Sequence, residues 1–235
     1  MTSAVQSEPI IWRHRMNGNF AVLTIRFVLV SLAALGGVAQ AFENLTAAQN
    51  LVYDTAHLSN TVAGQKIIYR YRSQIATGDI VEDRVLLSIK KAHEDDKRDV
   101  ALDFLSAERR MAFPDFTGFR GNPVIIAMLE HIAQSFGRET GGGVLYFRNR
   151  IRDAMAKENT QIEKITAKYN DREIDATRMF FSPFAGDPYL AERPEYTGAI
   201  FSITISDKVP GGVIGVAVKS SQNDVIYFVR EIVVE

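Results

Sequence analysis

Apolar and polar residues alternate with a period of two over two long stretches of the chain. Ile67, Tyr69 and Tyr71 interleave with Ile68, Arg70 and Arg72, the spacing of a strand with one buried face. After a turn at Thr77-Gly78-Asp79, Val85, Leu87 and Ile89 share one face of Val81–Ile89, with Glu82, Arg84 and Ser88 on the other. The polar run His93-Glu94-Asp95-Asp96-Lys97 marks another turn, and Val100, Leu102 and Phe104 form a third strand. Strands resume near the C-terminus: Glu163 to Tyr169, Arg172 to Phe181, Ala199 to Ile205, Val213 to Lys219 and Val225 to Val234. The turns between them fall at Asn170-Asp171, Val209-Pro210-Gly211-Gly212 and Ser220 to Asp224. Short connections between successive strands favour antiparallel pairing.

Helical spacing occupies the rest. Thr46 with Gln49 is a capping-box signature, and Ala48, Leu51, Val52 and Thr55 continue it as a one-sided stripe toward about Leu58. Asn122-Pro123 starts a second helix, with Asn as cap and Pro at the first helical position. Its apolar residues, Val124, Ile125, Ile126, Met128, Leu129, Ile132, Ala133 and Phe136, span roughly 200° of the wheel. Only a strip with Glu130 and Gln134 is left for water, so this helix is buried on more than one side or covers a concave sheet. Beyond Gly141-Gly142-Gly143, Val144, Phe147, Ile151, Ala154 and Met155 define a third helix, with Arg148 and Arg152 flanking one side of the stripe and Arg150 the other. Helices cluster rather than alternate with strands, so the class is α+β. The pattern predicts one domain, residues 42–235: a curved antiparallel sheet of about eight strands with an N-terminal helix and an inserted helical pair.

Upstream, Phe27 to Val38 is an unbroken run of apolar and small residues, preceded by Arg13, Arg15 and Arg26 and followed by Ala39-Gln40-Ala41. That order is a secretory signal peptide with cleavage before Phe42. Twelve residues at 1.5 Å each make about 18 Å, short of the roughly 30 Å hydrocarbon core. A leader of 41 residues is long, and a start at Met16 would give one of 26. The expected location is periplasmic, without lipid modification, because no cysteine is available for acylation. No later segment has the 18 apolar residues of a membrane span.

Charge narrows the function classes. Three of the 27 basic and one of the 28 acidic residues lie in the leader, which leaves 24 against 27, a net charge of −3. This argues against nucleic acid as partner and against strong attraction to anionic membrane surfaces. Without cysteine the fold has no disulfide, so stability rests on packing.

The segments Asn122-Pro123-Val124-Ile125, Thr140-Gly141-Gly142, Tyr146-Phe147-Arg148-Asn149-Arg150-Ile151-Arg152, Asp187-Pro188 and Asp207-Lys208-Val209-Pro210-Gly211-Gly212 resemble an uncharacterised family of exported proteobacterial proteins. No activity comes with that resemblance. In architecture the chain is similar to the periplasmic lipoprotein-carrier fold of LolA-like proteins. The resemblance implies an open half-barrel whose apolar concave face is covered by helices, and it bears on fold more than on function.

Signatures of catalysis are missing: no Gly-x-Ser-x-Gly elbow, no His-Glu-x-x-His helix, no phosphate loop ending in Gly-Lys-Ser/Thr. His57, His93 and His131 are scattered, and neither a cofactor nor a metal site is expected. Arg148, Arg150 and Arg152 could grip a phosphate or carboxylate or simply form a solvated helix face. Two 16-residue loops, Ser106–Gly121 and Ser182–Thr197, carry Phe113, Phe116, Phe119, Phe184, Tyr189 and Tyr196. These aromatics either contact a partner or pin each loop to the core. The leading expectation is non-catalytic carriage or sensing of an apolar ligand, a lipid or acylated protein, by Met128, Ile132 and Phe136, with Arg148 and Arg152 at the mouth. The alternative is a periplasmic protein–protein interaction module that uses the two aromatic loops. An enzyme without a recognisable motif ranks third.

Overall fold

The structure, a computed structural model, describes residues 45–157, 160–222 and 225–235. The expected leader and the start at Phe42 lie outside them. The described residues form one compact unit.

The capping box forms as expected: the Thr46 hydroxyl accepts from Gln49 N at 3.2 Å, and the Gln49 side chain accepts from Thr46 N at 2.9 Å. Helix α1 (Ala47–Gln49) runs into a wider π turn, Asn50–Asp54, and stops short of Leu58. The His57 ring lies 2.7 Å from the Leu51 carbonyl, an acceptor that a continuing helix would give to its own backbone. Thr55 N and Oγ1 both bond Asn50 O at 3.0 Å and close the turn.

Strands β1 (Lys66–Ile75), β2 (Val81–Ala92) and β3 (Arg98–Phe104) follow as a meander. Then come β4 (Met111–Ala112), β5 (Phe116–Phe119) and the helices α2 (Pro123–Thr140) and α3 (Val144–Met155). The second half holds β6 (Gln161–Tyr169), β7 (Arg172–Phe181), a short α4 (Pro194–Thr197), β8 (Ile200–Ile205), β9 (Val213–Gln222) and β10 (Val225–Val234). The eight long strands are those predicted. The two short ones lie in Ser106–Gly121, which periodicity alone marked as loop. There β5 pairs with β3, helped by Asp99, whose carboxylate accepts from Gly118 N at 2.8 Å.

All pairings are antiparallel, in the order β4-β3-β2-β1-β10-β9-β8-β7-β6, with β5 also on β3. The sheet is open and curved rather than closed into a barrel. The first and last long strands meet at its centre, Tyr71 opposite Ile232 and Ser73 opposite Arg230. One buried row crosses five strands, Tyr71, Ile232, Val216, Ile203 and Met179. On the other flank Tyr69 leads to Val85 and Phe104.

Helix α2 lies against this apolar face. Asn122 fixes its start: Oδ1 accepts from Val124 N at 3.0 Å, while Nδ2 donates to Tyr69 OH at 2.9 Å and Gly211 O at 2.8 Å. Gly141, with φ of 78°, ends it in the left-handed region, where glycine meets no steric penalty. Val124, Ile125, Met128, Ile132, Ala133 and Phe136 have no solvent exposure. The Phe136 ring stands 5.0–6.2 Å from those of Phe147, Phe184, Tyr196, Phe201 and Phe228, so sheet, both long helices and the segment before β8 share one core. No helix among the described residues is long and apolar enough to cross a membrane.

Candidate functional site

On α3, Phe147, Ile151, Ala154 and Met155 point into the core, and the other face carries the arginines. Helices α2 and α3 are joined by Gly141 to Gly143 and pack side by side. The Glu130 carboxylate accepts two hydrogen bonds of 2.7 Å from Arg148, through Nε and Nη2, and a third of 3.0 Å from Gln134. The fork from Arg148 holds the Glu130 carboxyl below its ordinary range, against the opposing effect of partial burial.

Beside this clasp runs a surface groove of about 290 Å³. Its floor is Leu129, Ile151 and Met155, all nearly buried, and its walls are Tyr53, Phe113 and Ile126. Glu130, Arg148 and Arg152 complete the lining. Ile126 is 38% exposed and Tyr53 42%, so apolar surface faces water where the helix wheel leaves only a polar strip. The start of the described chain is tied down nearby, with Thr46 Oγ1 donating to Met155 O at 2.8 Å. Burial raises the Tyr53 phenol above its usual range, and the neighbouring Arg152 works against that.

The sequence-selected residues divide between core and groove. Met128, Ile132 and Phe136 are wholly buried against the sheet and line no part of the groove. Arg148 and Arg152 do line it, and so does Phe113 from the first aromatic segment, whose ring also meets Phe104 at 5.9 Å. Phe116 and Phe119 are half-buried and pack on each other at 5.3 Å. Phe184 and Tyr196 belong to the core. Tyr189 is 52% exposed, with its ring 5.3 Å from that of Tyr146. Arg150 lies apart from the groove: its Nε is 3.0 Å from Asp187 Oδ2, and Tyr146 donates to the other Asp187 oxygen at 2.5 Å.

Sequence reasoning missed Tyr53, Ile126, Leu129, Ile151 and Met155 as lining residues. One signal was present: Ile126, counted with the apolar face, stands one turn before Glu130 and so borders the strip assigned to water.

A second cleft, of about 370 Å³, lies beside the segment Thr55–Asn60 and includes His57, Lys164, Asp175 and Asp207. Its polar groups serve the fold. Asn60 bonds Asp207 O, Val209 O and Gly211 N, Lys164 donates to Thr177 at 2.8 Å, and His57 is held at Leu51 O. Burial keeps the His57 ring below its ordinary range, although the Leu51 contact favours protonation. His93 lies 2.8 Å from Asp99 in the β2–β3 turn. His131 faces Tyr71, with 3.0 Å between Nε2 and the hydroxyl. Burial first, then Arg230 and Arg138, lower the His131 pKa to about 4. Among the described residues no three His, Asp or Glu side chains converge to hold a metal ion.

No family model matches the chain, and neither a curated protein nor a solved structure matches it significantly.

Proposed function

We propose that this is a non-catalytic protein of the cell envelope, exported by its N-terminal leader to the periplasm, which carries or senses an apolar ligand. The ligand is a lipid or the acyl chain of an acylated protein, and it lies in the groove between α2 and α3. One observation carries the reading: a groove with an apolar floor and exposed apolar walls, rimmed by guanidinium groups. Pockets of this composition, apolar with a few placed polar groups, are the usual form of ligand sites. An open curved sheet with its concave face under helices is also what the resemblance to lipoprotein carriers implies.

Titrating delipidated protein with a fluorescent fatty acid or lysolipid tests the proposal. Saturable binding at micromolar concentration is expected, weakened about tenfold or more by Ile126→Asp, which puts a charge on an apolar wall. Absence of lipid binding at that concentration would overturn it. A protein-interaction module is the second reading, favoured by the half-exposed Tyr189; Phe184 and Tyr196 lie too deep to touch a partner. Native mass spectrometry of protein taken from its host envelope separates the two, by a retained lipid or a retained protein.

A further inference from the structure

We propose that the ligand of the α2–α3 groove is a single-chain amphiphile with a monoanionic head, met by Arg152, and that Glu130 sets this selectivity by occupying Arg148. The inference rests on the groove being a ligand site, as argued above.

Size limits the chain. At about 290 Å³ the groove stands at the small end of the roughly 300–1,000 Å³ range of ligand sites, which gives room for one acyl chain rather than two.

Charge limits the head. The lining carries two guanidinium groups and one carboxylate, a net charge of +1. The guanidiniums are not equivalent. Arg148 has both donors of one edge committed to Glu130, each at 2.7 Å. The Glu130 side chain is 18% exposed and also accepts from Gln134, so it is held in place to receive that fork. Arg152 is bonded, among the described residues, to its chain neighbour Asp153 at 3.1–3.3 Å, and both side chains are more than half exposed. Exposed pairs of that kind exchange readily with other anions. Arg152 is therefore the donor fork available to an arriving carboxylate, one helical turn beyond Arg148 and above the floor residues Ile151 and Met155. Glu130 supplies the opposite effect: it repels a second negative charge and keeps Arg148 from forming a two-arginine clamp that would suit a phosphate.

Competition of decanoate, decanol and decyl phosphate against a fluorescent fatty acid, at constant ionic strength, tests this. In the wild-type protein decanoate should bind about tenfold tighter than decanol, the scale of one charge-assisted contact. Arg152→Gln should abolish that difference and leave decanol unchanged. Glu130→Gln should release Arg148, tighten decanoate severalfold and decyl phosphate more. Adding Arg148→Gln to Glu130→Gln should return both affinities to the wild-type values, which a merely structural role for Glu130 would not do. Equal affinity for decanoate and decanol, or a selectivity untouched by Arg152→Gln and Glu130→Gln, overturns the head-group assignment while leaving the groove a ligand site. If no probe binds, the groove is not a ligand site and this inference falls with the function proposed above.

Discussion

Arg230, in the middle strand of the sheet, meets Glu139 at the end of α2, with 2.5 Å between Nη2 and Oε1. The arginine side chain is 3% exposed and the glutamate 27%. Tyr196 of α4 donates to the other Glu139 oxygen at 3.1 Å. The guanidinium lies 5.1 Å from the centre of the Phe228 ring and 5.8 Å from that of Phe136. One ion pair thus ties together a strand, a long helix and the short helix before β8.

The two ends of this pair differ in burial, so its variants should differ in severity. Glu139→Gln leaves a buried guanidinium without its counter-charge, and removal of one partner from a buried pair typically loses about 3–5 kcal/mol. Arg230→Met leaves a glutamate that still reaches water and fills the arginine's place with an apolar chain. Urea denaturation should rank Glu139→Gln as clearly the less stable variant. The reverse order would show that the arginine acts through its hydrogen bonds rather than its charge.

His131 makes stability fall in mild acid. Its pKa is lowered to about 4 in the folded protein against about 6.5 in the unfolded chain. Between those values the unfolded state binds a proton that the folded state refuses, so its contribution is complete above about pH 6.5 and declines as pH drops toward 4. The span corresponds to about 3 kcal/mol at most. Denaturation midpoints across that window should slope with pH in the wild-type protein and less steeply in His131→Gln, where the buried His57 still contributes. An unchanged slope in the variant would move the effect to other groups.

Helix α2 has an inside and an outside that substitutions can separate. Ile132→Asp puts a carboxylate where exposure is nil, which should remove about 4 kcal/mol or more. Glu130→Ala breaks an ion pair whose arginine is half exposed, an effect of about 1 kcal/mol or less. A larger loss from Glu130→Ala in chemical denaturation would mean that the helix is turned the other way.

Gly212 is held by two constraints. Its φ is +71°, and an added Cβ would come within 3.0 Å of the His57 carbonyl oxygen. Gly212→Ala should cost about 2 kcal/mol, a fall in Tm of roughly 4–8 °C for a domain of this size. Gly143→Ala, with φ of −70° and nothing within 4 Å of the added carbon, should leave Tm unchanged. A harmless Gly212→Ala would contradict the turn geometry.

Most of the fold was legible because its signals are local. Alternation at Ile67–Arg72 and Val81–Ile89 identified the strands, and Asn122-Pro123 located the start of α2 to the residue. The β4 and β5 strands were not legible, since two and four residues are too few for periodicity and β5 is helped onto β3 by Asp99 holding Gly118. The groove was half legible. Arg148 and Arg152 stand out as charges on an amphipathic helix, but Met128 and Ile132 cannot be told from Leu129 by hydrophobicity. Which apolar residues face the sheet and which floor a groove depends on how α3 packs beside α2. The aromatic segments show the same limit: Phe113 reaches the groove and Phe184 the core, although each stands next to a proline in loops of equal length.

The pairing of β1 with β10 also decides how the sheet can be assembled and broken. Nearly the whole length of the chain must be threaded before that seam can zip, a long-range closure of the kind that slows folding. Until it closes, β1 and β10 each have one row of backbone N–H and C=O groups without strand partners. The margins of the finished sheet are harmless by comparison: β4 is two residues long, and β6 carries Glu163, Lys164 and Lys168. Loss of the final ten residues would therefore not trim a border but split the molecule along its midline. β1 and β9 would be left as open templates for neighbouring chains, so truncation at this end should lead to aggregation rather than to a smaller, weaker version of the same protein.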